Sequence, residues 1–325
     1  MKAVKVNEKT STLFIDEVET PSIGKNEVLV QVKATALNRA DLLQKRGLYP
    51  PPPGASHVLG LEMSGVIEKI GENVTQFQIG DRVCALLSGG GYAEYVAVPE
   101  EMLIPIPDSL GFEEAAAIPE AFLTAYLNLF HLGKLQKDQT VLIHAGASGV
   151  GTAAIQLATL TGAKVIVTAG SEEKLELCRS LGANLTINYR NGEFQPIVYE
   201  WTEYKGVHLI LDFIGASYWE QNISSLAVDG KLILIGTLGG TKIKETDLGK
   251  ILFRRIQVIG STLRSLPIEK KSSLTKDFVS FAYEQIANGH IKPIIDSVYD
   301  WTDVNDAHER MERNLNSGKI VLTVS

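Results

Sequence analysis

The sequence has little cysteine, no long apolar run and no excess of positive charge. Among its 325 residues only Cys84 and Cys178 are cysteines, and they form no Cys-x-x-Cys pair. Two cysteines are too few for a disulfide framework, which favours a reducing compartment. No apolar run approaches the roughly 20 residues that cross a membrane, and the opening residues, Met1 to Val6, are typical of a strand rather than a signal peptide. We therefore predict a cytoplasmic protein with no membrane partner.

The charge balance argues against nucleic acid as a partner. The formal net charge is −7, and the sequence contains no basic stripe. Apolar residues make up 45% and charged residues 21%, which is ordinary for a soluble globular protein. A chain of this length suggests about two domains. An anionic ligand of this acidic protein must find local positive charge.

The strongest local signal is a strand, a small-residue turn and a helix between Thr140 and Gly162. Gly146 and Gly151 fill the outer positions of a G-x-G-x-x-G-like turn, and Ser148 takes the middle position. Glycines let the backbone approach a pyrophosphate, and the first N–H groups of the helix then meet its negative charge. The pattern predicts a dinucleotide site; the alternative is a turn that needs small residues only for packing.

The end of the second predicted strand indicates which dinucleotide binds. NAD sites usually carry an acidic residue there, on the ribose 2′-hydroxyl. Here Gly170 takes that position, Ser171 can donate a hydrogen bond, and Lys174 can neutralise a 2′-phosphate. Tyr189 and Arg190 follow the third strand and could close the adenine side. We predict NADPH; the alternative for Lys174 is a solvated helix lysine.

The chain falls into a β-rich part and a part in which strands and helices alternate. In the first part, one helix is predicted around Arg39–Lys45. Short strands are predicted at Lys2–Val6, Val28–Ala34, Ser64–Ile70, Arg82–Leu86 and Tyr92–Val98. In the second, strands are predicted at Val141–His144, Lys164–Thr168, Leu185–Asn188, Val207–Asp212, Lys231–Ile235 and Gln257–Ser261. Helices are predicted at Glu172–Leu181, Tyr218–Leu226 and, in the tail, Ser273–Asn288. Strands near Ile294–Val298 and Ile320–Val324 could rejoin the first part. The alternation predicts an α/β fold with a parallel, doubly wound sheet.

This layout resembles the medium-chain dehydrogenase/reductase superfamily over the whole chain. The resemblance implies a GroES-like catalytic domain at 1–121 and 264–325 and a Rossmann NADPH-binding domain at 122–263. Zinc-dependent relatives carry a cysteine near the position of Asn38 and a histidine at the position of Leu61. Leucine cannot bind zinc, and the four-cysteine structural lobe is absent, so we expect no metal.

Several motifs resemble the zinc-independent quinone oxidoreductase branch of that superfamily. They occur in order along the chain: Ala36 to Asp41, Pro52 to Ser56, Gly60-Leu61-Glu62, Ala115 to Glu120 with Leu123-Thr124-Ala125, and His144 through Leu157. Asp212 to Gly215, Ser217 to Glu220 and the ending Gly318 to Leu322 are most similar to the tumour-suppressor-inducible NADPH quinone reductases of the branch. Without a zinc Lewis acid, the substrate must itself accept hydride well, as quinones and enones do.

The resemblance also implies site residues. Asn38 and Thr124 would lie near the nicotinamide, and Ser148, Gly149 and Val150 would hold the pyrophosphate. The 2′-phosphate and adenosine would contact Ser171, Lys174 and Tyr189. The cofactor cleft would be lined by Phe213, Ile214, Leu238, Leu263, Arg264 and Asn316. Asn38 could instead cap the following helix, Thr124 could be a buried helix residue, and Tyr49 could belong only to a stiff proline-rich turn.

No acid–base set is evident in the sequence. The six histidines are scattered, at His57, His131, His144, His208, His290 and His308, and a lone histidine is more often structural than catalytic. We expect quinone reduction in a cleft between the domains to work by positioning, because the reduced quinone can take protons from water. Reduction of an enone or alkenal is the runner-up and needs a hydrogen-bond donor, for which Tyr49 is the candidate. An NADPH-binding structural or RNA-binding protein with little turnover is a third possibility.

The last strand of the nucleotide sheet, near Gln257–Ser261, is apolar and would leave an exposed sheet edge. Such an edge is a template for pairing, and two-fold self-pairing is the commonest closed arrangement. The family resemblance points the same way. We therefore predict a homodimer.

Overall fold

The computed structural model describes residues 1–7 and 9–325. In chain order the strands are β1 (Lys2–Asn7), β2 (Thr12–Glu17), β3 (Glu27–Ala36), β4 (Glu62–Ile70), β5 (Arg82–Leu86), β6 (Tyr95–Pro99), β7 (Leu103–Pro105), β8 (Thr140–Ile143), β9 (Lys164–Ala169), β10 (Leu185–Asn188), β11 (Val207–Asp212), β12 (Leu226–Leu234), β13 (Gln257–Gly260), β14 (Ile295–Asp300) and β15 (Lys319–Thr323). The helices are α1 (Arg39–Lys45), α2 (Phe112–Ala116), α3 (Pro119–Tyr126), α4 (Gly149–Leu160), α5 (Glu172–Ser180), α6 (Gln195–Trp201), α7 (Trp219–Ser225), α8 (Leu248–Arg254), α9 (Ile268–Ala287) and α10 (Val304–Glu312).

The chain forms two compact units. The first, unit 1, comprises Met1–Leu123 and Leu263–Ser325, and the second, unit 2, comprises Thr124–Thr262. No helix in the described residues is long and apolar enough to cross a membrane.

Unit 1 is built on a seven-stranded sheet. The strand order is β14-β15-β3-β4-β5-β7, and β6 also pairs with β3. The C-terminal strand β15 runs antiparallel to β3, with Val321 opposite Ala36. A core that includes Leu37, Tyr92 and Trp301 packs beside it. This pairing brings the chain's last strand next to residues just before α1, and the site in unit 1 is built there.

Unit 2 is built on a six-stranded parallel sheet with the order β10-β9-β8-β11-β12-β13. Its strands are buried runs, such as Thr140–Ile143, because a parallel sheet is covered on both faces. The first strand, β8, lies inside the sheet, and the chain order changes direction beside it. Ligands of such sheets bind where the strand order reverses, at the carboxyl ends of the strands. The predicted α/β fold with a doubly wound parallel sheet is confirmed.

Some predicted boundaries were wrong. The prediction placed this strand at Lys231–Ile235, but β12 begins at Leu226, and Asp229 takes a left-handed conformation (φ +63°) inside it. The prediction placed a strand start at Tyr92, whereas β6 begins at Tyr95. It also missed the short strands β2 and β7. The tail helix α9 begins at Ile268, five residues before the predicted start.

Candidate active site

The turn between β8 and α4 has the geometry of a phosphate-binding turn. A Cβ on Gly151 would lie 2.4 Å from the Ala145 carbonyl oxygen, and one on Gly146 would lie 2.9 Å from Val167 Cβ. Ala145 itself has a positive φ of 49°. Both glycines are therefore required by close packing, and the turn delivers the chain directly into the N-terminus of α4.

Ser148 is the N-cap residue of α4. Its Oγ accepts a hydrogen bond from the Gly151 N–H at 3.1 Å, which leaves the hydroxyl hydrogen as a donor. Gly149 and Val150 are the first two helical residues, where backbone N–H groups have no partner within the helix. The three residues predicted to hold the pyrophosphate thus lie at one helix start, where the N–H groups without intrahelical partners and the helix dipole suit a negative charge.

Gly170, Ser171, Lys174 and Tyr189 surround the end of β9. A Cβ on Gly170 would lie 2.5 Å from Tyr189 Oη, so an acidic side chain could not occupy this position without displacing the tyrosine. Ser171 is the N-cap of α5, and its Oγ accepts from the Lys174 N–H at 3.4 Å. The nearby acid Glu172 is paired with Arg179 at 2.5 Å, which offsets its negative charge.

Phe213, Ile214 and Leu238 lie in the turns that follow β11 and β12. Asp212 Oδ1 accepts from the Ile214 N–H at 2.7 Å, and the Leu238 N–H donates to the Phe213 carbonyl at 3.1 Å. The first bond shapes the turn after β11, and the second joins the two turns at the carboxyl edge of the parallel sheet. Thr124 is buried, and its carbonyl accepts from Asn128 Nδ2 at 2.7 Å.

His144, directly after β8, has a structural environment. It is buried, with Nδ1 2.9 Å from Thr168 Oγ1 and Nε2 2.6 Å from Asn222 Oδ1. Burial lowers the pKa of His144 to about 4. It is therefore neutral near pH 7 and holds the sheet ends in register.

In unit 1, Asn38 belongs to a buried ionic network with Glu62 and Lys319. Lys319 Nζ donates to Glu62 Oε1 (2.6 Å), Asn38 Oδ1 (2.7 Å) and the Leu37 carbonyl (2.8 Å), so all three ammonium hydrogens have acceptors. Asn38 Nδ2 donates to Glu62 Oε1 at 2.9 Å and to the Ala36 carbonyl at 3.2 Å. The carboxamide is thus fixed in orientation, and only its oxygen has capacity left, as an acceptor.

Asp41 supplies the side-chain hydrogen bond at the start of α1. Its Oδ2 accepts from the Asn38 N–H at 2.8 Å and from Tyr92 Oη at 3.2 Å, and its Oδ1 accepts from the Gly60 N–H at 3.2 Å. Burial raises the pKa of Asp41 to about 6. Tyr92 Oη also lies 3.3 Å from Nε2 of His308, whose pKa burial lowers to about 3.

Tyr49 and Arg264 are in contact. The Arg264 guanidinium carbon lies 5.2 Å from the centre of the Tyr49 ring, a cation–π geometry. Arg264 also donates to the Ser88 carbonyl at 2.9 Å and to Gln44 Oε1 at 2.7 Å. The guanidinium is therefore committed to protein groups, and the half-buried Tyr49 ring packs against it.

The remaining predicted residues are more peripheral to these contacts. Leu263 is buried, and Asn316 Nδ2 donates to the Gly318 carbonyl at 2.9 Å, beside Lys319. Leu61, which replaces the zinc-binding histidine of relatives, is buried, as is Cys84. Within residues 1–7 and 9–325, no group of three His, Cys, Asp or Glu side chains is arranged to hold a metal ion.

The sequence reasoning missed the charged part of this network. Glu62, Glu120 and Lys319 all lie inside motifs that the sequence analysis named, but it predicted no role for any of the three. The available signal was a charged residue next to apolar residues, as in Lys319 before Ile320-Val321-Leu322. Lys319 and Glu62 are 257 positions apart in the chain, and no local pattern predicts a contact over that separation.

Comparison with known proteins places this geometry in a family. Residues 24–108 match the alcohol dehydrogenase GroES-like domain, and residues 149–280 match the zinc-binding dehydrogenase domain. The chain is 32% identical to a quinone oxidoreductase-like protein 2 homolog of Nematostella vectensis over 99% of this chain and 88% of that protein. It is 34% identical to a Danio rerio synaptic vesicle membrane protein VAT-1 homolog over 93% of this chain, but it spans only 65% of that relative.

Solved structures agree along the full chain. A quinone oxidoreductase from Pseudomonas syringae has a TM-score of 0.86 at 30% identity, with 99% of both chains covered. A mycobacterial protein complexed with NADPH has a TM-score of 0.88 at 27% identity, covering 99% of this chain and 100% of its own. The CurK enoyl reductase has a TM-score of 0.88 at 29% identity, with 100% of this chain and 99% of that chain covered.

The two units and their sites define an oxidoreductase of the medium-chain dehydrogenase/reductase superfamily. Within it, the chain belongs to the zinc-independent quinone oxidoreductase branch, as its motifs predicted.

Proposed function

We propose that the protein reduces quinones with NADPH. The single observation that carries the cofactor choice is that Gly170, at the position of the acid of an NAD site, has Tyr189 Oη packed against it, so that an acidic side chain there would have to displace the tyrosine. NADPH, when bound, supplies a hydride to the substrate. The mycobacterial neighbour complexed with NADPH supports the same choice.

Residues of unit 2 would hold this cofactor. The turn from Gly146 to Gly151 presents backbone N–H groups and the α4 dipole to the pyrophosphate. Ser171 and Lys174 would hold the 2′-phosphate, since a hydroxyl and an ammonium both donate to phosphate oxygens. Tyr189, with its hydroxyl already beside Gly170, would lie against the adenosine.

Residues of unit 1 would act on the substrate. A quinone accepts hydride without a metal Lewis acid, which agrees with a buried Leu61 where relatives place a zinc ligand. Tyr49, held by Arg264, offers a flat aromatic surface for a planar substrate. Asn38, fixed by Lys319 and Glu62, would orient the nicotinamide end through its carbonyl oxygen. Relatives named as quinone oxidoreductases support this substrate class.

Reduction of an enone or alkenal is the second candidate. The half-buried Tyr49 hydroxyl favours it, because that chemistry needs a donor to the substrate carbonyl. The CurK enoyl reductase is a neighbour of matching fold. Side-by-side screening of NADPH oxidation with ortho-quinones, para-quinones and enones distinguishes the two. Faster turnover with quinones supports the proposal, and turnover confined to enones would replace it with the alternative.

We also propose a homodimer that pairs through β13. This strand ends the parallel sheet, and on the helix before it Leu252 and Phe253 are 71% and 81% exposed. An apolar sheet edge is a template for pairing with a second copy. Light scattering at micromolar concentration should give the mass of two chains, and the mass of one chain would contradict the pairing.

The two cysteines favour a reducing compartment, and we propose the cytosol. Cys84 and Cys178 are both free and buried. Fluorescence imaging of the tagged full chain tests this; accumulation in an oxidising compartment would contradict it.

A further inference from the structure

Glu120 is a buried carboxyl group that the proposed chemistry has not used. It lies in the first turn of α3, and its backbone N–H donates to Glu62 Oε2 at 2.8 Å. This bond holds a second carboxyl next to the buried Glu62 carboxylate. In the described part of the chain, Glu120 Oε2 is buried and has no hydrogen-bond partner.

The neighbouring cation Lys319 is not available to pair with Glu120. The three ammonium hydrogens of Lys319 are donated to Glu62, Asn38 and Leu37. Glu62 accepts hydrogen bonds at both carboxyl oxygens. Glu62 and Lys319 are therefore an ion pair of their own. This arrangement leaves the adjacent Glu120 carboxyl without a direct cationic partner.

Two further cations of unit 1, Arg264 and Lys271, also donate their hydrogen bonds to groups other than Glu120. Arg264 donates to Ser88, Gln44 and Tyr49, and Lys271 Nζ donates to Ser88 Oγ at 2.8 Å and to the Arg264 carbonyl at 3.3 Å. The charged groups that act on Glu120 are Glu62 and Asp41, which disfavour its ionisation, and Lys319, Arg264 and Lys271, which favour it. Burial and the Glu62 carboxylate dominate and raise the pKa of Glu120 to about 8.

We propose that Glu120 holds the proton that is delivered to the oxygen of the reduced substrate. The inference rests on the proposed reductase function and names a proton donor for it. Glu120 suits the role better than its titratable neighbours. Asp41 already accepts three hydrogen bonds, and Tyr92 and His308 are bonded to each other in the core. Although Oε2 is buried, residue 120 as a whole is partly exposed, so solvent can restore the proton of the carboxyl group.

The step balances without a further reactant. Converting a quinone to a hydroquinone adds a hydride, which carries the two electrons, and one proton. The O–H bond of the Glu120 carboxyl breaks, and a new O–H bond forms on the substrate oxyanion. The carboxylate then takes a proton from water and returns to its neutral form. Glu120 is neither oxidised nor reduced.

The test compares wild type with Glu120→Gln and Glu120→Asp, using Glu101→Gln as an exposed matched control. We expect wild-type turnover to fall as pH rises through about 8, since the neutral carboxyl is then lost. Glu120→Gln should lower turnover at neutral pH by about 10²-fold and remove this pH dependence. Glu120→Asp should retain part of the turnover and part of its pH dependence, and Glu101→Gln should match wild type. An unchanged pH profile in Glu120→Gln would overturn the proposal.

A second readout needs no turnover. Infrared difference spectra of the cofactor-free protein should show a protonated carboxyl band that disappears as pH rises through about 8 and that Glu120→Gln removes. Absence of that band in wild type below pH 8 would overturn the proposal even if activity is pH-dependent. If wild type reduces no quinone or enone, the proposed function fails, and the infrared titration still decides whether Glu120 holds a proton.

Discussion

Lys319 Nζ lies 2.6 Å from Glu62 Oε1, and the two side chains are 5% and 0% exposed. The pair joins the last strand of the chain to β4 and fixes the Asn38 carboxamide between them. A buried ion pair is strongly destabilising when one partner is lost, because the other is left charged without compensation.

Lys319→Met should therefore lower the free energy of unfolding by about 3–5 kcal/mol. The control is Lys205→Met, which removes one partner of the Lys205–Glu203 pair, where the side chains are 77% and 80% exposed. That change should cost at most about 1 kcal/mol. Urea denaturation at pH 7 measures both variants, and equal small losses would mean that the buried pair is not a stabilising unit.

Glu120 makes stability depend on pH. Its folded-state pKa of about 8 lies above the unfolded value of 4.5, so the folded protein binds more protons between these limits. The free energy of unfolding of wild type should thus fall, relative to Glu120→Gln, as pH rises from 4.5 to about 8. The buried histidines contribute equally to both proteins and cancel. Denaturation across this range measures the difference, and a constant difference would contradict the raised pKa.

Lys174→Ala tests the 2′-phosphate assignment. A lost charged hydrogen bond should weaken NADPH binding by roughly 1.5–3 kcal/mol and leave NADH binding unchanged, since NADH lacks the phosphate. Lys205→Ala, an exposed lysine of the same unit, should affect neither cofactor. Fluorescence titration with both cofactors gives the affinities. Equal loss for NADPH and NADH would assign Lys174 to the fold rather than to the phosphate.

Tyr49→Phe separates the two substrate classes. If the hydroxyl donates to an enone carbonyl, enone reduction should fall by about 10²-fold while quinone reduction survives, because the ring remains. Tyr204→Phe, at a 75% exposed position, is the matched control. Steady-state turnover with one quinone and one enone measures the effect. An equal response of both substrates would make Tyr49 a packing residue.

The local elements of the nucleotide unit could be predicted from sequence because their causes are local. The turn from Gly146 to Gly151 needs small residues between a buried strand and a helix, and Ser148 caps that helix as its position suggests. The start of β12 was misjudged because regular pairing with β11 does begin at the predicted Lys231, and the strand extends back to Leu226 only through an irregular stretch whose one earlier pair is Leu226 with Val207.

The polar network of unit 1 could not be predicted in this way. Asn38 was identified through its motif, but its orientation depends on Lys319, which lies 281 positions away in the chain. Glu120 was visible as a motif residue, yet its raised pKa arises from burial next to Glu62, a tertiary property. Sequence therefore predicted the local structure of the turn from Gly146 to Gly151, but in unit 1 it predicted positions without their partners.

The central claim is NADPH-dependent quinone reduction, and anaerobic product stoichiometry tests it most directly. Purified protein is mixed with a para-quinone and either NADPH or NADH, and oxidised cofactor and hydroquinone are both quantified. We expect one hydroquinone per NADPH oxidised, with kcat/KM for NADPH about 10–100-fold above that for NADH, the ratio that a single charged phosphate contact supplies. No hydroquinone with NADPH, or equal kcat/KM for the two cofactors, would contradict the account.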